Sequence, residues 1–477
     1  MLRLQAGCAH AQIISGSDED RAWVEEFLTF RTKTWVRGKP RESVKSYLGY
    51  KGRFPVGLAP MVARHARDAG LSVDVEDCRP AVPPDGDTSL GWLRDYQREA
   101  VERCVSRTRG VVSSPTGSGK GEMITALLMR KSCRWLVLVH RDHLVADLGA
   151  RFEKRSGEQP GWIRSGMVDV FPRVVFATFQ SFRKRLQAGM GLPQIAGVIV
   201  DEAHTVAADT FRECVAALTD TYYRFGFSGT PFDRTDARSI AVVAAVGPKI
   251  YTIKSQFLID RGYVPRPVIR MLPCVQDGTD HAKYATVYRH TVEESRARNS
   301  VCLSILEAME KPGIAFVRKR GHGLALAKLA EKRGMNVTYV DGRMSRQQRE
   351  TAVTDARRGA IDVLMSTVVF QEGLDLPELR SVANLAGGQS VIEILQRLGR
   401  GMRKDHDDDH TFQVWDVFDV VRRAKGSRRQ KWLQKHSQAR AAAMAREGHT
   451  VTIHTPNGDH IYDPDKRLDW LVDEIVP

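Results

Sequence analysis

A chain of 477 residues with 42% hydrophobic content has room for about three domains of ~150 residues and enough apolar side chains to fill their cores, which excludes a disordered polymer. Its longest apolar runs, such as Trp135–Val139 and Ile195–Val200, fall far short of the roughly 18 residues that span a bilayer, which excludes a transmembrane helix. The 72 Lys and Arg outnumber the 57 Asp and Glu, and the resulting charge of +15 favours a polyanionic partner through counterion release, although solvated surface arginine explains it as well.

The N-terminus, MLRLQ, lacks the sustained apolar core of a secretory signal, so export is not expected. Seven cysteines, at 8, 78, 104, 133, 214, 274 and 302, are scattered singly, which fits reduced thiols in a cytoplasm better than disulfides or a zinc site.

Residues 1–80 read as an N-terminal accessory module. Within it Arg31, Lys33, Arg37, Lys39, Arg41, Lys45, Lys51 and Arg53 interleave with Phe30, Trp35, Tyr47, Tyr50 and Phe54. Charge for phosphates and rings for exposed bases suit a duplex or junction contact; a solvated surface over a small core is an equal alternative. Residues 81–88, AVPPDGDT, have linker composition.

From 89 to 247, short apolar runs at Gly110–Ser113, Trp135–Val139, Val174–Ala177, Val198–Val200 and Arg224–Phe227 alternate with helical patterns, the signature of a parallel sheet covered on both faces. Residues 248–311, with strand-like Val268–Met271 and helical Asp280–Met309, read as a crossing between domains. The alternation resumes over 312–421, with strands at Ile314–Val317, Asn336–Val340, Val363–Ser366, Ser381–Asn384 and Phe412–Val417. Residues 422–477 read as a basic helical segment and a hairpin, Thr450–Tyr462, turning at Asn457–Gly458. The fold class is therefore α/β, with two parallel-sheet domains and small terminal modules.

The segment Ser114–Lys120, SPTGSGK, follows a strand and opens a helix with Met123, Ile124, Leu127 and Leu128 at helical spacing, the context a phosphate-binding loop requires. Pro115, Thr116, Gly117, Ser118 and Gly119 form the loop. Its glycines let backbone N–H groups face phosphate oxygens, and Lys120 reaches the terminal phosphates of ATP. Gly121 stands where the usual motif has the Ser or Thr hydroxyl that binds Mg²⁺, so a water is expected in that ligand position. Downstream, the apolar strand Val198–Val200 delivers Asp201, a Mg²⁺ ligand, and Glu202, which orients and deprotonates the attacking water. His406-Asp-Asp-Asp-His410 has metal-ligand residue types but reads as an exposed acidic turn, and Cys8 with His10 is too isolated for zinc.

Asp201-Glu-Ala-His204 together with PTGSGK resembles the DEAH-box branch of superfamily 2 helicases and translocases, over about Leu93–Asp419. The resemblance implies two tandem RecA-like domains that use ATP and Mg²⁺ and act on nucleic acid. It implies an adenine contact at Gln97 in LRDYQ, and backbone contacts from Arg141, Thr178 and Gln180 in VLVHRDHL and FATFQS. His204, with Ser228 and Thr230 of FSGTP, would couple nucleotide state to the strand. In the second domain Thr367, Gly373 and Asp375 resemble the motif that touches ATP ribose and nucleic acid. Gln396, Arg400 and Arg403 in QRLGRGMR resemble the arginine-finger motif, with the arginines three apart on a helix and so on one face. Arg318, after a strand end of the second domain, is a further candidate nucleic-acid contact.

DEAD-box RNA helicases normally carry Ser-Ala-Thr, and a histidine where Gln396 stands, so the motifs look most like DNA-directed members, including UvsW-type phage helicases and the repair-helicase group. The reading is an ATP-dependent DNA helicase or branch-remodelling translocase in repair or recombination, a monomer without membrane attachment, in a bacterial or phage-infected cell. An RNA helicase, and a nucleic-acid-binding ATP switch with little hydrolysis, stay open as alternatives.

Overall fold

The computed structural model describes residues 1–36, 39–79, 86, 89–115, 117–203, 209–229, 238–264, 266–277, 283–367, 379–388, 412–422, 432–446 and 448–465. They fall into two compact units, Met1–Ile253 and Lys254–Pro477.

The first unit begins with strands β1 (Leu2–Ala6) and β2 (His10–Ser15), a hairpin of β3 (Thr29–Val36) and β4 (Lys39–Ser46), then β5 (Arg53–Pro55) and β6 (Val73–Asp77). Four of these form a sheet in the order β5-β2-β1-β6, while β3 and β4 pair only with each other among the described residues. The helix Asp18–Phe27 starts on a capping box, in which Asp20 N–H donates to Ser17 Oγ at 3.1 Å and Ser17 N–H to Asp20 Oδ2 at 3.0 Å. The small core of Leu4, Ile13, Val24, Phe54 and Val62 continues into Val243 of the helix Arg238–Val246. The contact is a close one: a β-carbon on Gly57 would lie 2.0 Å from the Val243 carbonyl oxygen. The described N-terminal residues are thus docked on the helix Arg238–Val246.

The motor sheet of this unit comprises β7 (Arg109–Ser113), β8 (Trp135–Val139), β9 (Gly161–Arg164), β10 (Met167–Asp169), β11 (Val174–Thr178), β12 (Gly197–Asp201), β13 (Tyr223–Ser228) and β14 (Lys249–Thr252). Their order is β10-β9-β11-β8-β12-β13-β7-β14, parallel except for the β9–β10 hairpin. Every residue of β8, β11, β12 and β13 is buried, as expected of parallel strands covered on both faces.

The second unit holds β15 (Pro267–Asp277), β16 (Gly313–Val317), β17 (Val337–Val340), β18 (Val363–Thr367), β19 (Ser381–Asn384), β20 (Phe412–Arg422), β21 (Val451–Thr455) and β22 (Gly458–Ile461), ordered β17-β18-β16-β19-β20-β15-β21-β22. Three sequence expectations need correction here. Residues 248–311 are not merely a crossing: β14 completes the first sheet and β15 runs eleven residues in parallel register with β20 inside the second. The span Asp280–Met309 is not one helix; Tyr284–Tyr288 and Arg296–Ala308 are separated by a wide turn at Arg289–Glu293. The C-terminal hairpin is no appendage, because β21 pairs with β15, and it turns one residue earlier than expected, with Thr455 opposite Gly458.

Two buried ion pairs tie this unit together. Arg298 Nε donates to Asp419 Oδ1 at 2.8 Å with both side chains 0% exposed, and Arg440 Nε donates to Asp416 Oδ2 at 2.7 Å with both at 1%. The acids lie on β20; the arginines come from the helices Arg296–Ala308 and Trp432–Arg446. Breaking such a pair strands a buried charge. Arg440→Met is therefore expected to reduce the stability of this unit by about 3–5 kcal/mol, and Arg440→Met with Asp416→Asn by less. Chemical denaturation midpoints of the three proteins measure this; equal losses in the single and double variants would mean the pair is not the anchor.

Candidate nucleotide site and nucleic-acid interface

The parallel register collects the carboxyl ends of β7, β12 and β13 at one edge of the first sheet, where α/β sheets bind ligands. The loop after β7 is pinned there, since Ser114 N–H donates to the Ser228 carbonyl at 2.9 Å. Gly117 and Gly119 adopt φ of 85° and 79°, and Gly119 opens the helix Lys120–Arg130. The left-handed backbone is the physical reason for glycine at both positions.

Gln97 braces this loop. It is 6% exposed, its Nε2 donates to the Ser118 carbonyl at 2.9 Å, and its Oε1 accepts from Arg94 N–H at 3.0 Å. A β-carbon on Gly119 would lie 2.3 Å from that Nε2. Tyr96, which the sequence reading passed over, donates from its hydroxyl to the same Ser118 carbonyl at 3.0 Å. Ser114 and Ser118 share a hydroxyl contact of 2.6 Å, so Ser114, in place of the usual first glycine, is part of the loop's internal bonding.

Lys120 and the acidic pair meet at this edge. Lys120 Nζ is 3.5 Å from Glu202 Oε1 and donates to the Ser114 carbonyl at 3.4 Å. Asp201, 8% exposed, accepts from Glu202 N–H at 3.0 Å. Glu202 has φ of 54°, a conformation rarely taken by residues other than glycine and frequent at functional sites. Ser228, fully buried, ends β13 alongside. The donor set fits a hydrated Mg²⁺: one carboxylate, Asp201, stands at the strand end beside the phosphate loop, and this ion commonly keeps several waters.

Gly121 has a steric explanation that the sequence did not reveal. A β-carbon there would meet Arg151 Nε at 3.0 Å and Leu148 Cδ2 at 3.2 Å. Arg151 is held in place by Glu122, which also pairs with Arg155 at 3.2 Å, and the Arg155 guanidinium carbon lies 4.4 Å from the centroid of the Trp92 ring. These partners are 29 and 33 residues from Glu122, beyond any local pattern.

The nucleic-acid candidates are dispersed over both units. Arg141 holds the N-cap position of the helix Asp142–Ser156, two residues after β8, without a side-chain capping hydrogen bond. Thr178, at the end of β11, caps Phe179–Gln187 by accepting from Ser181 N–H at 3.1 Å, and Gln180 is exposed in that first turn. Helix N-termini of this kind favour phosphate oxygens. In the second unit Arg318 is exposed after β16 and Thr367 ends the adjacent β18. Thr116, His204, Thr230, Gly373, Asp375, Gln396, Arg400 and Arg403 lie outside the described residues, as does His406–His410.

Residues 91–233 match the family model described as "Type III restriction enzyme, res subunit", and residues 297–405 match "Helicase conserved C-terminal domain". Together these spans cover just over half of the chain. The chain belongs to the superfamily 2 helicases. The protein of Halobacterium salinarum named putative DNA 3'-5' helicase Rad25 is 29% identical to this helicase over 364 residues, 72% of this chain and 58% of the relative. The ATP-dependent DNA helicase uvsW of Enterobacteria phage T4 is 25% identical over 394 residues, 76% of this chain and 77% of the relative. The solved structure of the ATP-dependent Type ISP restriction-modification enzyme LlaBIII bound to DNA superposes with a TM-score of 0.55 at 15% identity, over 74% of this chain and 30% of that one, a likeness of fold. The chain spans about half to three fifths of the length of several curated relatives. Among the described residues no helix is long and apolar enough to cross a membrane.

Gly121→Thr supplies the missing hydroxyl but presses on Arg151, so it is expected to destabilise the first unit by about 1–3 kcal/mol. The Mg²⁺ concentration for half-maximal hydrolysis should stay the same or fall. Thermal unfolding and an Mg²⁺ titration check both; an unchanged unfolding temperature would show that Arg151 yields freely.

Proposed function

We propose that this helicase is an ATP-dependent DNA helicase or translocase that unwinds or remodels branched or duplex DNA in repair or recombination. The observation that carries the reading is the convergence of Lys120, Asp201 and Glu202 at the carboxyl edge of the first sheet, on a loop with the backbone of a phosphate cradle. The preference for DNA rests on the motif differences from RNA-directed members and on the DNA helicases named among the relatives.

In this mechanism the N–H groups of loop residues 116–119 and the Lys120 ammonium bind and orient the phosphates. Asp201 would hold Mg²⁺, which when bound supplies positive charge to the β- and γ-phosphate oxygens. Glu202 takes the proton of the attacking water, and Gln97 keeps the loop in shape beside the base. Arg400 and Arg403, by resemblance, stabilise the transferred phosphoryl group when the two motor domains close. Closure on ATP and release on hydrolysis then move the residues that grip the strand, for which Arg141, Thr178, Gln180, Arg318 and Thr367 are proposed. His204, Ser228 and Thr230 carry the coupling, and Gly373 and Asp375 approach the ribose. The protein is proposed to act as a cytoplasmic monomer; sedimentation of the DNA complex at a multiple of the monomer mass would overturn that.

ATP hydrolysis measured without polymer and with single-stranded DNA, duplex, forked DNA and RNA tests the proposal. Stimulation by DNA, strongest on forked substrates, is expected. Greater stimulation by RNA would favour an RNA helicase. Binding without stimulated turnover would favour the ATP switch that Gly121 suggests. Lys120→Ala and Glu202→Gln should each lower turnover by a hundredfold or more, and full activity in either would show that the site is misassigned.

A further inference from the structure

The strand ends of the second unit carry an aromatic cluster that the nucleotide chemistry does not use. Tyr284 and Tyr288 follow β15, Arg318 follows β16, and Trp432 and His436 open the helix after β20. Tyr284 is the hub: its ring centroid is 5.6 Å from Trp432, 5.6 Å from His436 and 6.1 Å from Tyr288. The Arg318 guanidinium carbon lies 5.8 Å from the Tyr284 centroid and 5.2 Å from that of Tyr288.

The helix Trp432–Arg446 rests on the base of this cluster through Leu433, which shares a core with Tyr288 and Tyr284, and the rest of its seat lies elsewhere. Its buried face is supplied by Leu433, Ser437, Arg440, Ala441 and Met444 at helical spacing, and Arg440 is locked to Asp416. Trp432 and His436 form a neighbouring i,i+4 flank and are only half-buried. Tyr288 is the fixed base of the cluster, buried with its hydroxyl donating to the Ala386 carbonyl at 2.5 Å. The result is a half-exposed indole on a rigid support.

Exposed cations adjoin the cluster in sequence, Lys283 before Tyr284 and Lys319 after Arg318. Lys283, Arg318 and Lys319 are exposed, and none forms an ion pair with a carboxylate among the described residues. Burial and the Arg440 charge hold His436 below the usual histidine range, so the positive charge comes from these three side chains at neutral pH. An aromatic cluster with Arg318 against its rings and exposed lysines next to it in sequence suits a ligand that alternates flat rings with anions.

We propose that Trp432, buttressed by Tyr284 and flanked by Arg318, is a stacking platform for an unpaired base of the nucleic-acid strand. The proposal rests on the nucleic-acid reading above and extends it to the C-terminal segment. Parallel pairing places the ends of β18, β16, β19 and β20 side by side, so Arg318 follows the strand next to Thr367 and the helix of Trp432 follows a strand three spacings from it. At ~4.8 Å per spacing this is roughly 14 Å, about the length of four stacked nucleotides at ~3.4 Å each. That lies at the lower end of common single-strand site sizes.

The test is binding of the full chain to a fluorescent single-stranded oligonucleotide, with bases intact or removed at abasic positions. Stacking of one base contributes about 5- to 150-fold in affinity. Trp432→Phe, which keeps a π face, should bind close to the parent, whereas Trp432→Leu should bind tenfold or more weakly. Removing bases should weaken the parent and leave Trp432→Leu unaffected. Arg318→Gln should lower the slope of log affinity against log salt by about 0.7, the release expected for one single-strand phosphate. Equal binding by the Leu and Phe variants, or equal sensitivity to abasic positions in parent and Leu variant, overturns the platform while leaving the helicase reading intact. Absence of binding to any DNA or RNA by the parent overturns both.

Discussion

Parallel pairing is the constraint on which the rest of this molecule depends. A parallel strand must return by a crossover, and the crossover leaves each strand's carboxyl end on the same edge of the sheet. Ser113, Asp201 and Ser228 together span more than a hundred residues of sequence yet end neighbouring strands. The phosphate loop, the acidic pair and the serine motif are therefore neighbours because of topology, before any side-chain contact is made. The same rule aligns Arg318, Thr367 and the segment around Trp432 on the second sheet.

Much of this was legible in the sequence because parallel strands are buried on both faces and appear as short continuous apolar runs. Trp135–Val139 and Ser381–Asn384 match their strands residue for residue. The strands that escaped notice lie at edges or in mixed surroundings. In β9 buried and half-buried residues alternate, β10 is wholly exposed, and β14 has no buried residue. Sheet membership was illegible for a different reason: β15 and β21 each belong to the second sheet only through pairings with strands more than a hundred residues distant. No local window contains such information.

At the nucleotide site, residue identity announced chemistry but concealed mechanics. Lys120 and Glu202 were singled out from motif context, and the fold brings their side chains within 3.5 Å. Gly121 was readable only as an omission. A side chain there would press on Arg151 and Leu148, supplied by the helix that follows the next strand. Gln97 shows the reverse case. A residue assigned to the base by resemblance has its Nε2 donating to the Ser118 carbonyl and its Oε1 accepting from Arg94 N–H, so its amide is already fixed in direction. Such fixation reduces the rotamer entropy lost on binding.

The contact between Lys120 and Glu202 ties two strand ends together. The lysine opens the helix after β7 and the glutamate follows β12, so a displacement of either side chain is felt by the other. Two segments brought side by side by the sheet are thereby coupled a second time, through charge rather than through backbone pairing.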